Sequence, residues 1–259
     1  MGATKISNIF LILIFLIVFY KSDGQVQRIV GGFSAKESQF PYVVSIRRLG
    51  DHICGGVIIS RNFILTAGRC VVKNFSNDGV TSYPAHEFNI RVGSLSLYDK
   101  GLLWKISEIM VHSNYTNMLN DLALLKLQEP LVFSDYIQPI EVSYERPSLK
   151  TSEISIAGWG FQKTSGHVSR YLQYITMDVV EPSNCMSHLL GDEAEKSLLC
   201  LQFNGGGICT GDIGAAAIYH GELVGLASFS LEKCGNEYPD GFTNIAYYRQ
   251  WILQNTDLI

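Results

Sequence analysis

The chain has 259 residues, with 20 Lys and Arg against 24 Asp and Glu, a formal net charge of −4. Without residues 1–28, which hold Lys5, Lys21, Arg28 and Asp23, it carries 17 basic and 23 acidic residues, a net −6. Phosphate recognition needs clustered Lys and Arg, so this balance excludes nucleic acid as an expected partner.

Residues 1–24 read as an export signal: Lys5 supplies the positive charge, Ile9 to Tyr20 is an apolar run, and Ser22-Asp23-Gly24 offers a small-residue cleavage site. A run of 12 residues is shorter than the ~20 needed to span a bilayer, so no membrane anchor is expected. Export places Cys54, Cys70, Cys185, Cys200, Cys209 and Cys234 in an oxidising compartment, where an even count predicts three disulfides. Counting alone leaves their pairing open. None forms a C-x-x-C pair, so no metal site is expected.

Short Val-, Ile- and Leu-rich segments follow, broken by Gly, Asn, Asp and Ser. They cover 42–48, 53–60, 63–67, 88–97, 102–112, 121–128, 153–160, 171–180 and 197–203. A hairpin joins 215–219 to 222–229 through His220-Gly221. Many short strands with polar turns predict an all-β barrel or sandwich. Asn244 to Asn255 differs: Ile245, Tyr248, Trp251 and Ile252 recur at helical spacing, with Thr243 as cap. A connection between two halves is expected near 147–151. Sequons at Asn74-Phe75-Ser76 and Asn114-Tyr115-Thr116 lie in turn-like stretches and are glycosylation candidates.

Five motifs occur in order: Arg28-Ile29-Val30-Gly31-Gly32, His52-Ile53-Cys54-Gly55-Gly56, Leu65-Thr66-Ala67-Gly68-Arg69-Cys70, Asn120-Asp121-Leu122-Ala123-Leu124-Leu125, and Cys209-Thr210-Gly211-Asp212-Ile213-Gly214-Ala215-Ala216. With Ala157-Gly158-Trp159-Gly160 they span nearly everything after residue 28. This set resembles the chymotrypsin/trypsin family of serine proteases. The resemblance implies two six-stranded antiparallel Greek-key β-barrels with a C-terminal helix over 29–259, after a short activation propeptide, 25–28. It also implies disulfides Cys54–Cys70, Cys185–Cys200 and Cys209–Cys234. Cutting after Arg28 would free an ammonium on Ile29 to pair with Asp212. Ser45, His52 and Asp212 match a trio that holds some relatives inactive before that cut.

The catalytic positions depart from the family. Ile213 stands where C-x-G-D-S-G-G-P has its serine, and an isoleucine has no atom that can attack a carbonyl. Arg69 stands where L-T-A-A-H-C has its histidine. A guanidinium has no acceptor lone pair and cannot act as a general base. Asp121 alone is kept, so no competent catalytic set is expected. Arg69 is expected to pair with Asp121; otherwise Arg69 turns to solvent and Ser228 and backbone donors satisfy the carboxylate. The Ile213 side chain is expected to project where a scissile carbonyl would sit, beside an oxyanion-hole-like pair of amides, Gly211 and Ile213. Ala215 and Ala216 replace the family's Gly-Pro.

The specificity pocket is expected at Gly207, Ser228, Ser230 and Asp240. Trypsin's aspartate is replaced by Gly207, and Asp240 takes a position that trypsin fills with glycine, as in the arthropod brachyurin-type branch. Asp240 there either attracts Lys and Arg side chains or is a solvated wall residue. The calcium loop is not retained, and no cofactor is expected. The doubly altered triad and the pocket resemble the inactivated protease paralogues of parasitic or allergenic mites. That implies a secreted monomer that binds proteins, host complement or other defence proteins among them. The alternatives are a non-catalytic cofactor of an arthropod protease cascade and a residual digestive protease.

Overall fold

The computed structural model describes residues 32–76, 79–149, 151, 153–161, 166–185, 191–231 and 234–258. The expected export signal, Arg28 and Ile29 lie outside them. The chain enters through β1 (Phe33–Ser34) and builds β2 (Val43–Arg48), β3 (Asp51–Ile58), β4 (Phe63–Thr66), β5 (Val72–Ser76), β6 (Gly79–Ser82), β7 (Phe88–Val92), β8 (Leu102–Val111) and β9 (Ala123–Leu127). Six of these close an antiparallel barrel in the order β2-β3-β4-β9-β8-β7. Among its strands, β4 reads as a continuous apolar run, Phe-Ile-Leu-Thr, because both of its faces are buried, whereas β7 alternates buried and partly exposed residues. Val44, Ile58, Ile64 and Leu125 fill the barrel, while their neighbours Val43, Ile59, Leu65 and Leu124 point into a second cluster between the two halves of the molecule.

The second half contributes β10 (Glu141–Val142), β11 (Ile154–Gly158), β12 (Gln173–Val180), α1 (Asp192–Ser197), β13 (Leu198–Gln202), β14 (Ala216–Tyr219), β15 (Glu222–Phe229), β16 (Asp240–Asn244) and α2 (Ile245–Gln254). β12-β11-β14-β15-β16-β13 closes a second six-stranded antiparallel barrel, because β13 also pairs with β12. β1 adds to the β12 edge, and β10 pairs parallel to β15. The chain therefore reaches the second sheet at Glu141, ahead of the 147–151 connection. Ile154, Ile156, Ile175 and Met177 lie inside this barrel. Ala157, Trp159 and Leu226 face the first barrel, and Ile245, Tyr248 and Ile252 of α2 join the same cluster.

The two barrels and the C-terminal helix are as expected. Strand ends differ: the segment read over 88–97 leaves the strand at Val92. Thr243 is not the helix cap. It belongs to β16, and its hydroxyl donates to the Asp121 carbonyl at 3.0 Å, while Asn244 occupies the N-cap position. β16 was not legible as a strand, because Asp-Gly-Phe-Thr-Asn carries a single large apolar residue. Its Gly241 is required by packing, since a Cβ there would collide with the Phe229 ring. Asn74 lies on the exposed strand β5, not in a turn, whereas Asn114 lies in an exposed turn. The hairpin turn at His220-Gly221 holds, with positive φ at both residues (48° and 83°).

Candidate functional site

Arg69 lies in a 3-10 turn, Gly68–Cys70, directly after β4. The turn is held from both sides. Cys70 is bridged to Cys54 of β3 with Cα atoms 6.2 Å apart, and Gly68 lies so close to the Tyr115 ring that a Cβ would come within 2.9 Å of it. Asp121 precedes β9. The residue before it, Asn120, has φ 55°, a left-handed conformation that Asn tolerates better than most residues. Asn120 is fixed by α2: its amide donates to the Tyr248 hydroxyl at 3.2 Å, and the same hydroxyl lies 3.0 Å from Asn120 Oδ1.

The Asp121 side chain is fully buried. Its Oδ2 accepts from Arg69 Nε at 2.5 Å and from the Ser228 hydroxyl at 2.6 Å, and its Oδ1 accepts from the Arg69 amide at 2.8 Å. Arg69 Nη2 also donates to the Asn117 carbonyl and, at 3.3 Å, to Ser228 Oγ. The guanidinium is thus turned inward onto Asp121, the ion-paired alternative of the two weighed from sequence. Burial pushes the Asp121 carboxyl up, and the Arg69 guanidinium, the Ser228 hydroxyl and the Arg69 amide oppose that push.

Ile213 sits on a loop stitched to both barrels. Its carbonyl accepts from the Gly55 amide at 2.8 Å, and Gly214 donates to the Ala227 carbonyl at 2.7 Å. Cys70 Sγ lies 3.8 Å from the Ile213 carbonyl, which sets Arg69's turn beside this loop. Gly211 (φ 95°) and Gly214 (φ 79°) give the loop its path. Ala215 and Ala216 are fully buried and adopt no positive φ. The Ile213 side chain is half-buried and packs against the cores of both barrels, rather than only projecting outward. The Gly211 and Ile213 amides donate to no acceptor among the described residues. The disulfides are Cys54–Cys70, Cys185–Cys200 and Cys209–Cys234, as the resemblance implied.

The trio of Ser45, His52 and Asp212 is assembled only in part. Ser45 Oγ meets His52 Nδ1 at 2.8 Å, but His52 Nε2 meets the Gly211 carbonyl at 3.0 Å and not the Asp212 carboxylate. Asp212 turns the other way, accepting from the amides of Gly160 at 2.7 Å and Cys209 at 3.0 Å. Burial lowers the His52 pKa to about 4 and lifts the Asp212 carboxyl to about 7. Gly160 leaves room for that carboxylate, because a Cβ would fall inside Asp212 Oδ2. Gly160→Ala is expected to cost about 3 kcal/mol by overpacking a fully buried point. Urea unfolding would measure it, and a loss under ~0.5 kcal/mol would place the carboxylate elsewhere.

Asp240 is neither solvated nor loosely placed. It is 5% exposed, and its Oδ2 accepts from the Ile208 amide at 2.8 Å and lies 2.5 Å from where a Cβ on Gly207 would be. Gly207 and Asp240 are therefore in contact, and any larger residue at 207 would displace the carboxylate. Ser230, beyond the end of β15, is half-buried. Burial lifts the Asp240 carboxyl to about 7, with the nearby Asp212 adding to the rise. A carboxyl raised above its ordinary 3.8 contributes stability that is full below that value and is lost as pH rises through 7. Asp240→Asn keeps the acceptor for Ile208. Its stability relative to wild type is expected to grow by about 4 kcal/mol from pH ~4 to pH ~8. A difference independent of pH would contradict a protonated Asp240.

Two closed six-stranded barrels, with the site residues held at their seam, define a double-barrel protein of trypsin-like fold. Residues 29–252 match the Trypsin family, and the chain belongs to it. It is 31% identical over 237 residues to trypsin alpha of Drosophila melanogaster, covering 90% of this chain and 89% of that one. It is 35% identical over 226 residues to serine protease SP24D of Anopheles gambiae, covering 87% and 80%. Among solved structures, human heparin binding protein superposes with a TM-score of 0.74 at 30% identity, covering 88% of this chain and 98% of that one. Among the described residues no helix is long and apolar enough to cross a membrane.

Proposed function

We propose that this trypsin-family protein is secreted, does not hydrolyse peptides, and acts by binding another protein, with host defence cascades such as complement as the target. The observation that carries the reading is the Arg69–Asp121 pair. The carboxylate that would orient a catalytic imidazole is held by a guanidinium at 2.5 Å and by Ser228, and among the described residues no histidine is hydrogen-bonded to it. Ile213 supplies packing at the loop where a nucleophile would sit. That a solved protein of this fold is named for binding heparin supports the idea that the scaffold serves recognition. The acidic balance of this chain argues for a different ligand from a polyanion. Several similar proteins are named trypsins, which favours residual hydrolysis as the second reading.

Immobilised protein is expected to retain complement components saturably from plasma and, in solution, to delay complement-driven lysis. An active insect trypsin, chemically blocked, serves as the control. Labelling of the wild-type chain by a fluorophosphonate serine probe, together with no retention, would overturn the reading in favour of the hydrolase.

A further inference from the structure

Away from the Arg69 site, a cavity of about 430 Å³ opens where the two barrels meet. That volume lies in the ~300–1,000 Å³ range of ligand pockets. Phe40, Val43, Leu95 and Leu172 give it apolar lining, and Ser38, Ser94 and Ser96 add hydroxyls. Tyr136 and Tyr171 also line it, while remaining 50% and 45% exposed. The aromatic surface continues outward from Phe40 to Tyr174, with ring centroids 5.4 Å apart, and from Tyr174 to the exposed Phe33 at 5.8 Å.

The walls are braced from both barrels. Trp159 Nε1 donates to the Leu95 carbonyl at 2.8 Å, and Arg47 Nη1 donates to the Leu97 carbonyl at 3.1 Å. The Leu172 amide donates to the Leu95 carbonyl at 2.7 Å, and the Arg91 guanidinium holds the Lys100 carbonyl. A cavity fixed in this way costs little ordering when it is filled. Its charges cancel in sum. Asp99 is paired with Arg170 at 2.5 Å, and Glu37 and Lys100 add one charge of each sign. Glu37 and Lys100 are exposed, where pairing with an incoming charge gains little, whereas the apolar lining of Phe40, Val43, Leu95 and Leu172 favours an uncharged side chain. Exposed tyrosines around a concave, neutral centre are the composition of protein-recognition surfaces.

We propose that this seam pocket, and not the cleft of Arg69, Asp121 and Ile213, is where the protein holds its partner: a protein segment that inserts an uncharged apolar or aromatic side chain beside Tyr136 and Tyr171. The proposal rests on the binding reading above. The test is selection of a phage-displayed random dodecapeptide library on the full chain, followed by affinity measurement with synthetic peptides. Enriched peptides are expected to share an uncharged apolar or aromatic residue. Tyr136→Ser and Tyr171→Ser are expected each to weaken them about 10-fold or more, while Glu141→Gln, on an exposed position of β10 outside the pocket, leaves them unchanged. Both tyrosines are half exposed, so these variants keep the fold, as an unaltered urea midpoint would verify.

Peptides indifferent to both tyrosines, a charged consensus, or no enrichment would overturn the proposal. So would saturable binding of chitotriose at the same tyrosines without peptide enrichment, which would make the pocket a glycan site. Complement retention that survives Tyr136→Ser with Tyr171→Ser would sink the pocket and leave the binding function standing. Hydrolysis by the wild-type chain would instead remove the function itself.

Discussion

Arginyl and lysyl peptide amides incubated with the purified protein, cut after Arg28, are expected to turn over about 10⁶-fold more slowly than with an insect trypsin. Loss of a nucleophile or of its base alone has an effect of about that size, and losing the second adds little, because the parts act as a unit. Ile213 offers no attacking atom. Arg69 is occupied by Asp121, Ser228 and the Asn117 carbonyl, and it cannot take a proton. The same logic makes single reversions uninformative: Ile213→Ser still lacks a base, and Arg69→His still lacks a nucleophile. Activity is expected only when both substitutions are combined, since the nucleophile and its base act as a unit. Wild-type turnover that survives purification controls and Asp121→Ala would contradict this expectation and show hydrolytic chemistry at another centre.

Replacing Arg69 with Ala is expected to destabilise the protein by about 3–5 kcal/mol near neutral pH, the cost of leaving one member of a buried ion pair alone. The two partners are not equivalent. The Asp121 side chain has no exposure, whereas 28% of the Arg69 side chain reaches solvent. Asp121→Asn is therefore expected to cost less, because the guanidinium keeps the Asn117 carbonyl and can hydrate. The Arg69→Ala penalty should shrink in acid. Removing the cation raises the folded pKa of Asp121 further, so stability in that variant is lost as pH rises and regained as protonation removes the lone charge. Urea midpoints across pH for both single variants and the double variant measure the coupling. Additive costs, with no coupling in the double variant, would show that Asp121 does not depend on Arg69.

Several features were legible along the chain for local reasons. Runs such as Phe63–Thr66 and Ala123–Leu127 announced strands because both of their faces are buried, and α2 announced itself through Ile245, Tyr248 and Ile252 on one side. The chemistry missing at 69 and 213 is a matter of side-chain identity and could be read without coordinates. The short strands β1 and β10, two residues each, and the polar β16 carried no periodic signal, since only their partners Tyr174, Leu223 and Phe242's neighbours across β13 and β15 make them strands.

By itself, then, the order of residues determined which groups exist: five family motifs, six cysteines, no serine at 213, no histidine at 69. What each group does was decided by contacts between residues far apart in the chain. His52 and Asp212 belong to one expected trio, yet burial left His52 on the Gly211 carbonyl and Asp212 on the amides of Gly160 and Cys209. Asp240 reads as a pocket wall but is withdrawn against Gly207 and Ile208, and burial there favours its neutral form. The seam pocket has no sequence signature at all. It forms from the segments around 37–43, 93–100, 136 and 171–172, which meet only because two separately closed barrels press their apolar outer faces together. Direction, burial and proximity are properties of that packing, and no single stretch of the chain contains them.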